Sequence, residues 1–170
     1  MKKTLQRNKA LFIGLTVLLA LAASAFEKPA VRLQSTQNVG PRDVEPQTET
    51  GVVRDYIEAW RTMDRAFSEN NTRLLDADFT GLAKEKLAST IKDQAKLGLR
   101  TTYQDRKHDI SFLFYSPEGM SLQLVDNVEY DVQIIDHDKV QATQHVSTRY
   151  IAVLTPTEVR WKVRIFQTAQ

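Results

Sequence analysis

The sequence predicts an α+β fold: two long N-terminal helices and a short one, packed on a curved four-stranded antiparallel meander. Three observations carry that prediction. Apolar residues recur every three or four positions over 53–67 and 81–99. From His108 the apolar period becomes two. Each turn between the alternating runs sets a register in which the apolar faces coincide, so local pattern and global pairing agree.

The first helix presents Val53, Tyr56, Ile57, Trp60, Met63 and Phe67 on one face, with Thr50 as a cap and the polar run 68–71 as its stop. Residues 72–79 read as a short helical turn. The second long helix carries Ala83, Leu87, Ile91, Ala95 and Leu99 four apart, and Gly98 marks its end. The first strand alternates His108, Ile110, Phe112 and Phe114 with polar residues. Pro117-Glu118-Gly119 then makes a three-residue loop, which pairs Phe114 with Leu122, Phe112 with Leu124 and Ile110 with Asp126.

Residues 120–134 keep one parity, so they read as a single long strand bulged near Asp126. A reversal at Asp136-His137-Asp138 matches Val132 with Ala142, Val128 with Val146 and Asp126 with Thr148. The third strand turns Tyr150, Ala152 and Leu154 inward, and the fourth turns Val159, Trp161, Val163 and Ile165 inward.

Ahead of this domain (51–170) lie two segments. Residues 1–25 carry Lys2, Lys3, Arg7 and Lys9 before an apolar run, 10–26, that contains Ala23-Ser24-Ala25. That is the pattern of an export signal cut after Ala25. The same run, about 26 Å long as a helix, also reads as a retained membrane anchor. Both readings put the domain outside the cytoplasm. Residues 26–50, with Pro29, Pro41 and Pro46 among polar residues, read as a linker.

The chain has 170 residues, 42% of them apolar, and no Cys, which excludes a disulfide framework, a thiolate metal site and a Cys nucleophile. The net charge of +2 comes from the leader, since the remainder holds 19 basic against 21 acidic residues. No strongly basic domain points to nucleic acid. Glycine-rich phosphate loops, nucleophile elbows and zinc-protease motifs do not occur.

The order of parts resembles the nuclear-transport-factor-2-like superfamily, the cone-shaped α+β fold: helix 53–67, turn 74–79, helix 82–99, then the meander. The Arg149-Tyr150 strand and Trp161-Lys162-Val163 resemble the endings of many members. The short hairpin that many members carry between helices two and three does not occur. This departure resembles the membrane-tethered members, such as type IV secretion assembly factors and organelle-division proteins. The resemblance implies a cone whose interior hosts either chemistry or plain packing, and a sheet face through which relatives pair.

Polar residues on the apolar inner face are the candidates for chemistry. His108 and Asp126 lie one row apart, where a carboxylate orients an imidazole for general acid–base work, with Tyr56, Trp60, Tyr130, Thr148 and Tyr150 walling a small ligand. The competing reading makes Asp126 the mark of the strand's bulge and His108 an edge residue. His137 between two aspartates offers ligand types, but adjacent turn residues rarely converge on one ion, so no metal or cofactor is expected. His145 is expected outward, opposite Glu129. Arg149, Arg160, Lys162 and Arg164 crowd the outer face, Arg149 opposite Arg164, with Phe166 among them, and suggest a docking surface for an acidic partner or anionic lipid headgroups, against the competing reading of a solvated face with splayed arginines.

The sequence leaves two functions open: an exported or tethered non-enzymatic binding module using that outer face, or a small-molecule-binding or enzymatic cone using His108 and Asp126. Partners expected are the membrane, through 10–26 if uncleaved, and a protein or second copy through the sheet.

Overall fold

A computed structural model describes residues 28–34 and 39–169. The expected signal or anchor lies outside the described residues. Among those residues no helix is long and apolar enough to cross a membrane.

Two α-helices and a short 3₁₀ helix pack on one face of a five-stranded sheet, not a four-stranded one. The extra strand comes from the expected linker. β1 (Ala30–Leu33) pairs parallel to β2 (Leu99–Tyr115) at Lys107–Ile110. Four residues added at an edge show little periodicity, so nothing local separates them from a Pro-rich tether. The linker reading fails again at its end, because α1 (Pro46–Ser68) starts seven residues before Val53. Pro46 starts it, where a missing N–H costs nothing.

After α1 come the 3₁₀ helix Thr72–Ala77 and α2 (Gly81–Lys96), which ends before the expected Leu99. Gly98 at φ +71° turns the chain directly into β2. β2 therefore begins at Leu99 rather than near His108, and runs beside β3 (Leu122–Asp136) almost to its end. β4 (Lys139–Pro156) and β5 (Trp161–Thr168) complete the antiparallel meander in chain order.

Parity holds better than register. Ile110 does face Asp126, and Phe112 does face Leu124. However, Phe114 faces Gln123, and Tyr115 takes the place opposite Leu122. A bulge at Leu113 and a wider turn, in which the Ser116 hydroxyl caps the N–H groups of Met120 and Ser121, make that shift. Phe114 is thus 39% exposed, while Tyr115 is buried.

At the next reversal His137 and Asp138 adopt φ +44° and +64°, a two-residue turn closed by Asp136 and Lys139. With a bulge at Gln141, this slides β4 by two residues from the expected match. Val132 meets Gln144, Val128 meets Thr148, and Asp126 meets Tyr150. A slip of two keeps every side chain on its face, which is why the apolar pattern could not expose it. His145 faces Asp131, not Glu129, at 2.8 Å.

β5 departs furthest. Val163 opposes Leu154 and Ile165 opposes Val153, leaving Arg164 as the extra residue of a bulge. Beyond it the parity inverts. Phe166 lies opposite buried Ala152 and packs inward, Ile165 turns to the outer face, and Val159 is 80% exposed in the turn.

One network pins the helices to β5. Asp78, fully buried, accepts from Thr62 Oγ1 and from Arg160 Nη1, both at 2.6 Å. The Val163 N–H donates to the Asp78 carbonyl. Asp78→Ala strands the Thr62 hydroxyl in the core, so the unfolding free energy is expected to fall by about 1–3 kcal/mol in a urea titration. A loss within error would show that the network adds nothing to the packing.

Candidate functional site

Trp60 on α1 sits at the centre of the interior. Its ring meets His108 at 5.3 Å, Tyr130 at 5.5 Å, Tyr150 at 5.4 Å and Phe166 at 5.4 Å between centroids. Tyr150 and Phe166 stack at 4.5 Å. The helical spacing of Tyr56 and Trp60 places both over this part of the sheet. Thr148 lies opposite Val128, half-buried.

His108 and Asp126 come together as a bonded pair. His108 Nδ1 lies 2.6 Å from Asp126 Oδ2, and neither side chain has exposed surface. The Tyr56 hydroxyl donates to the same oxygen at 3.1 Å, and the Asp109 N–H donates to Asp126 Oδ1 at 3.1 Å. Three donors thus hold one buried carboxylate, which answers the cost of burying it.

A bulge turns Asp105 inward beside the imidazole. Asp105 opposes Tyr130 and Lys107 opposes Glu129, so Arg106 is extra. Asp105 and His108, three apart, consequently share the inner side. Asp105 Oδ2 lies 3.7 Å from His108 Nε2. Periodicity alone could not find Asp105, because an uninterrupted strand sends residues three apart to opposite faces.

Burial alone lowers the His108 pKa, but the carboxylates of Asp105 and Asp126 outweigh it and raise it to about 9. Burial, then the Asp126 charge, pushes the Tyr56 phenol well above its ordinary value. The result is a protonated imidazole clasped between two carboxylates. A carboxylate–imidazole pair can move protons when a substrate reaches it. Here both members are sealed under Trp60 and Tyr56, and none of the described cavities is lined by either.

The four outer cations separate. Arg160 is tied to Asp78, and Lys162 Nζ donates to the Asp76 carbonyl at 2.7 Å. Arg149 is exposed, and its carbonyl accepts from the Ala169 N–H, so it does not oppose Arg164. Arg164 is exposed at its bulge and lies beside Gly81. Phe166 belongs to the interior and not to this surface. In its place Ile151, Val153 and Ile165 lie half-buried on the outer face with exposed Phe114. Among the described residues no group of three or more His, Cys, Asp or Glu is placed to hold a metal.

No protein-family model and no curated protein sequence matches the chain. Solved structures do. The intermembrane space region of chloroplast protein ARC6 is similar over 75% of this chain and 98% of its own, at 18% identity and a TM-score of 0.59. A putative scytalone dehydratase from Novosphingobium aromaticivorans is similar over 74% of this chain and 89% of its own, at 11% identity and a TM-score of 0.51. At such identities the likeness concerns the fold alone, and one architecture hosts unrelated functions. The fold this chain shares with them is the nuclear-transport-factor-2-like cone, here two α-helices and a 3₁₀ helix with a five-stranded sheet.

Proposed function

We propose that this protein is a non-enzymatic binding module, exported or membrane-tethered through residues 10–26, which engages a protein partner through the outer face of its sheet. The observation that carries this reading is the filled cone. Trp60 fills the centre of the interior, and the His108–Asp126 pair on the inner face is fully enclosed. The outer face supplies what a docking surface needs: Phe114, Ile151, Val153 and Ile165 as an apolar centre, with Arg149 and Arg164 beside it. Cations at the rim favour a partner with acidic residues around its own apolar patch.

The test is site-specific photo-crosslinking in the native cell. A crosslinking amino acid at Val153 or Ile165 is expected to capture a partner or a second copy, and one at exposed Leu82 on α2 is expected to capture neither. Equal capture from both faces, or none from the sheet, overturns the reading. A second reading, a ligand-binding or enzymatic cone, rests on the formed His108–Asp126 pair and requires that Trp60 move aside.

A further inference from the structure

A cavity of about 470 Å³ lies outside the cone's interior, between α1 and the stretch of β2 that precedes its pairing with β1. Lys28, Glu58, Asp64, Arg65, Tyr103 and Asp105 are among its lining residues. Three carboxylates line this wall, of which Glu58 is paired with Arg61 at 3.1 Å, leaving Asp64 and Asp105. Asp64 Oδ1 accepts from the Tyr103 N–H at 2.7 Å. Burial raises the Asp64 pKa, the Tyr103 N–H bond opposes it, and the charge of Asp105 adds to the rise while Arg65 lowers it slightly.

Asp105 is the second and separate sign. Its side chain is nine-tenths buried, yet its Oδ1 has no hydrogen-bond partner, and His108 Nε2 behind it has none either. A buried carboxylate oxygen left unpaired costs free energy until a donor meets it. Asp126 shows the contrast within the same protein, with all its donors in place.

The missing donor should be compact and positively charged. A primary ammonium offers three N–H groups at one point and can serve two carboxylates at different angles. A guanidinium requires a planar fork. Lys28 and Arg65 on the same wall favour a ligand that also carries an anionic end. We propose that this cavity binds a small primary amine, its ammonium seated at Asp64 and Asp105, and that amines with a carboxylate a few carbons away bind best. The inference does not use the outer sheet face, although Asp105 also lies 3.7 Å from His108 Nε2, so it stands or falls apart from the proposed docking surface.

The test is a titration of the ¹⁵N-labelled full-length chain with n-butylamine, γ-aminobutyrate and n-butyrate. The Tyr103 amide and the Trp60 indole N–H serve as reporters. Both amines are expected to shift the Tyr103 amide saturably, γ-aminobutyrate at lower concentration, while butyrate does nothing. Asp105→Asn, equal in shape, should weaken both amines about tenfold. Arg65→Ala, at an exposed position, should erase the advantage of γ-aminobutyrate while leaving butylamine bound. No saturable shift from either amine, or butyrate binding as well as butylamine, overturns the proposal. So does wild-type amine binding by a folded Asp105→Asn.

Discussion

Trp60→Ala is expected to lower the unfolding free energy by about 3–5 kcal/mol. The residue is 1% exposed and meets four rings, one from each of β2, β3, β4 and β5. None of those strands can close on the space from its own side. Little collapse is therefore available, and the cost should fall in the upper part of that range. Urea unfolding followed by Tyr fluorescence and by circular dichroism measures it. A loss below about 1.5 kcal/mol would mean that the cone relaxes around the deletion.

The same variant also probes function, since it opens space directly beside His108. If the enclosed interior is what keeps the domain from acting on small molecules, Trp60→Ala should bind apolar probes that the wild type excludes. Wild-type binding of the same probes would show that the interior already opens.

Asp126→Ala is expected to cost about 3–5 kcal/mol, because it removes the bonded partner of a buried imidazolium, leaving Asp105 at 3.7 Å as its nearest carboxylate, and strands the Tyr56 hydroxyl. Replacing both partners, His108→Leu with Asp126→Leu, should recover most of that loss, since the expensive state is the unpaired charge and not the missing pair. Failure of the double variant to recover stability would show that the carboxylate matters for its hydrogen bonds to Tyr56 and to the Asp109 N–H instead.

The pair also sets a pH dependence. His108 has its pKa raised to about 9 in the folded protein, against about 6.5 unfolded. Between those values the folded state holds a proton that the unfolded state has released. Stability from this source is therefore complete below about pH 6.5 and is lost as pH rises through about 9. Its ceiling is about 3 kcal/mol. Between about pH 6 and pH 10 the urea midpoint should fall more for the wild type than for His108→Gln. Equal slopes in the two proteins would refute the assignment.

Much of this architecture was legible in the residues. The two helices and the meander are implied by the change of apolar period after residue 107, and the inward parity of Leu124, Val128, Tyr130 and Tyr150 is as the alternation requires. The candidates His108 and Asp126 were visible as polar exceptions on an apolar face. Their direct bond was one of two readings left open, because a diagonal pair across a strand is reached only through side-chain direction, and the structure forms it at 2.6 Å. Asp105 and Asp64 left no signal, since a bulge brings one of them inward and the approach of α1 places the other.

The sequence by itself determined which residues face the core, because periods of 3.6 and 2 are properties of the local chain. Only the tertiary structure decided where that pattern is broken. Arg106, Leu113, Gln141 and Arg164 each stand as an extra residue in a ladder, and each one re-aims or slides the residues beyond it. A bulge answers strain between curved strands and the helices they wrap, and that strain exists only once distant segments meet. Through those four residues the closed cone brought Asp105 to His108, turned Phe166 inward and set Ile165 on the outer face beside Val153.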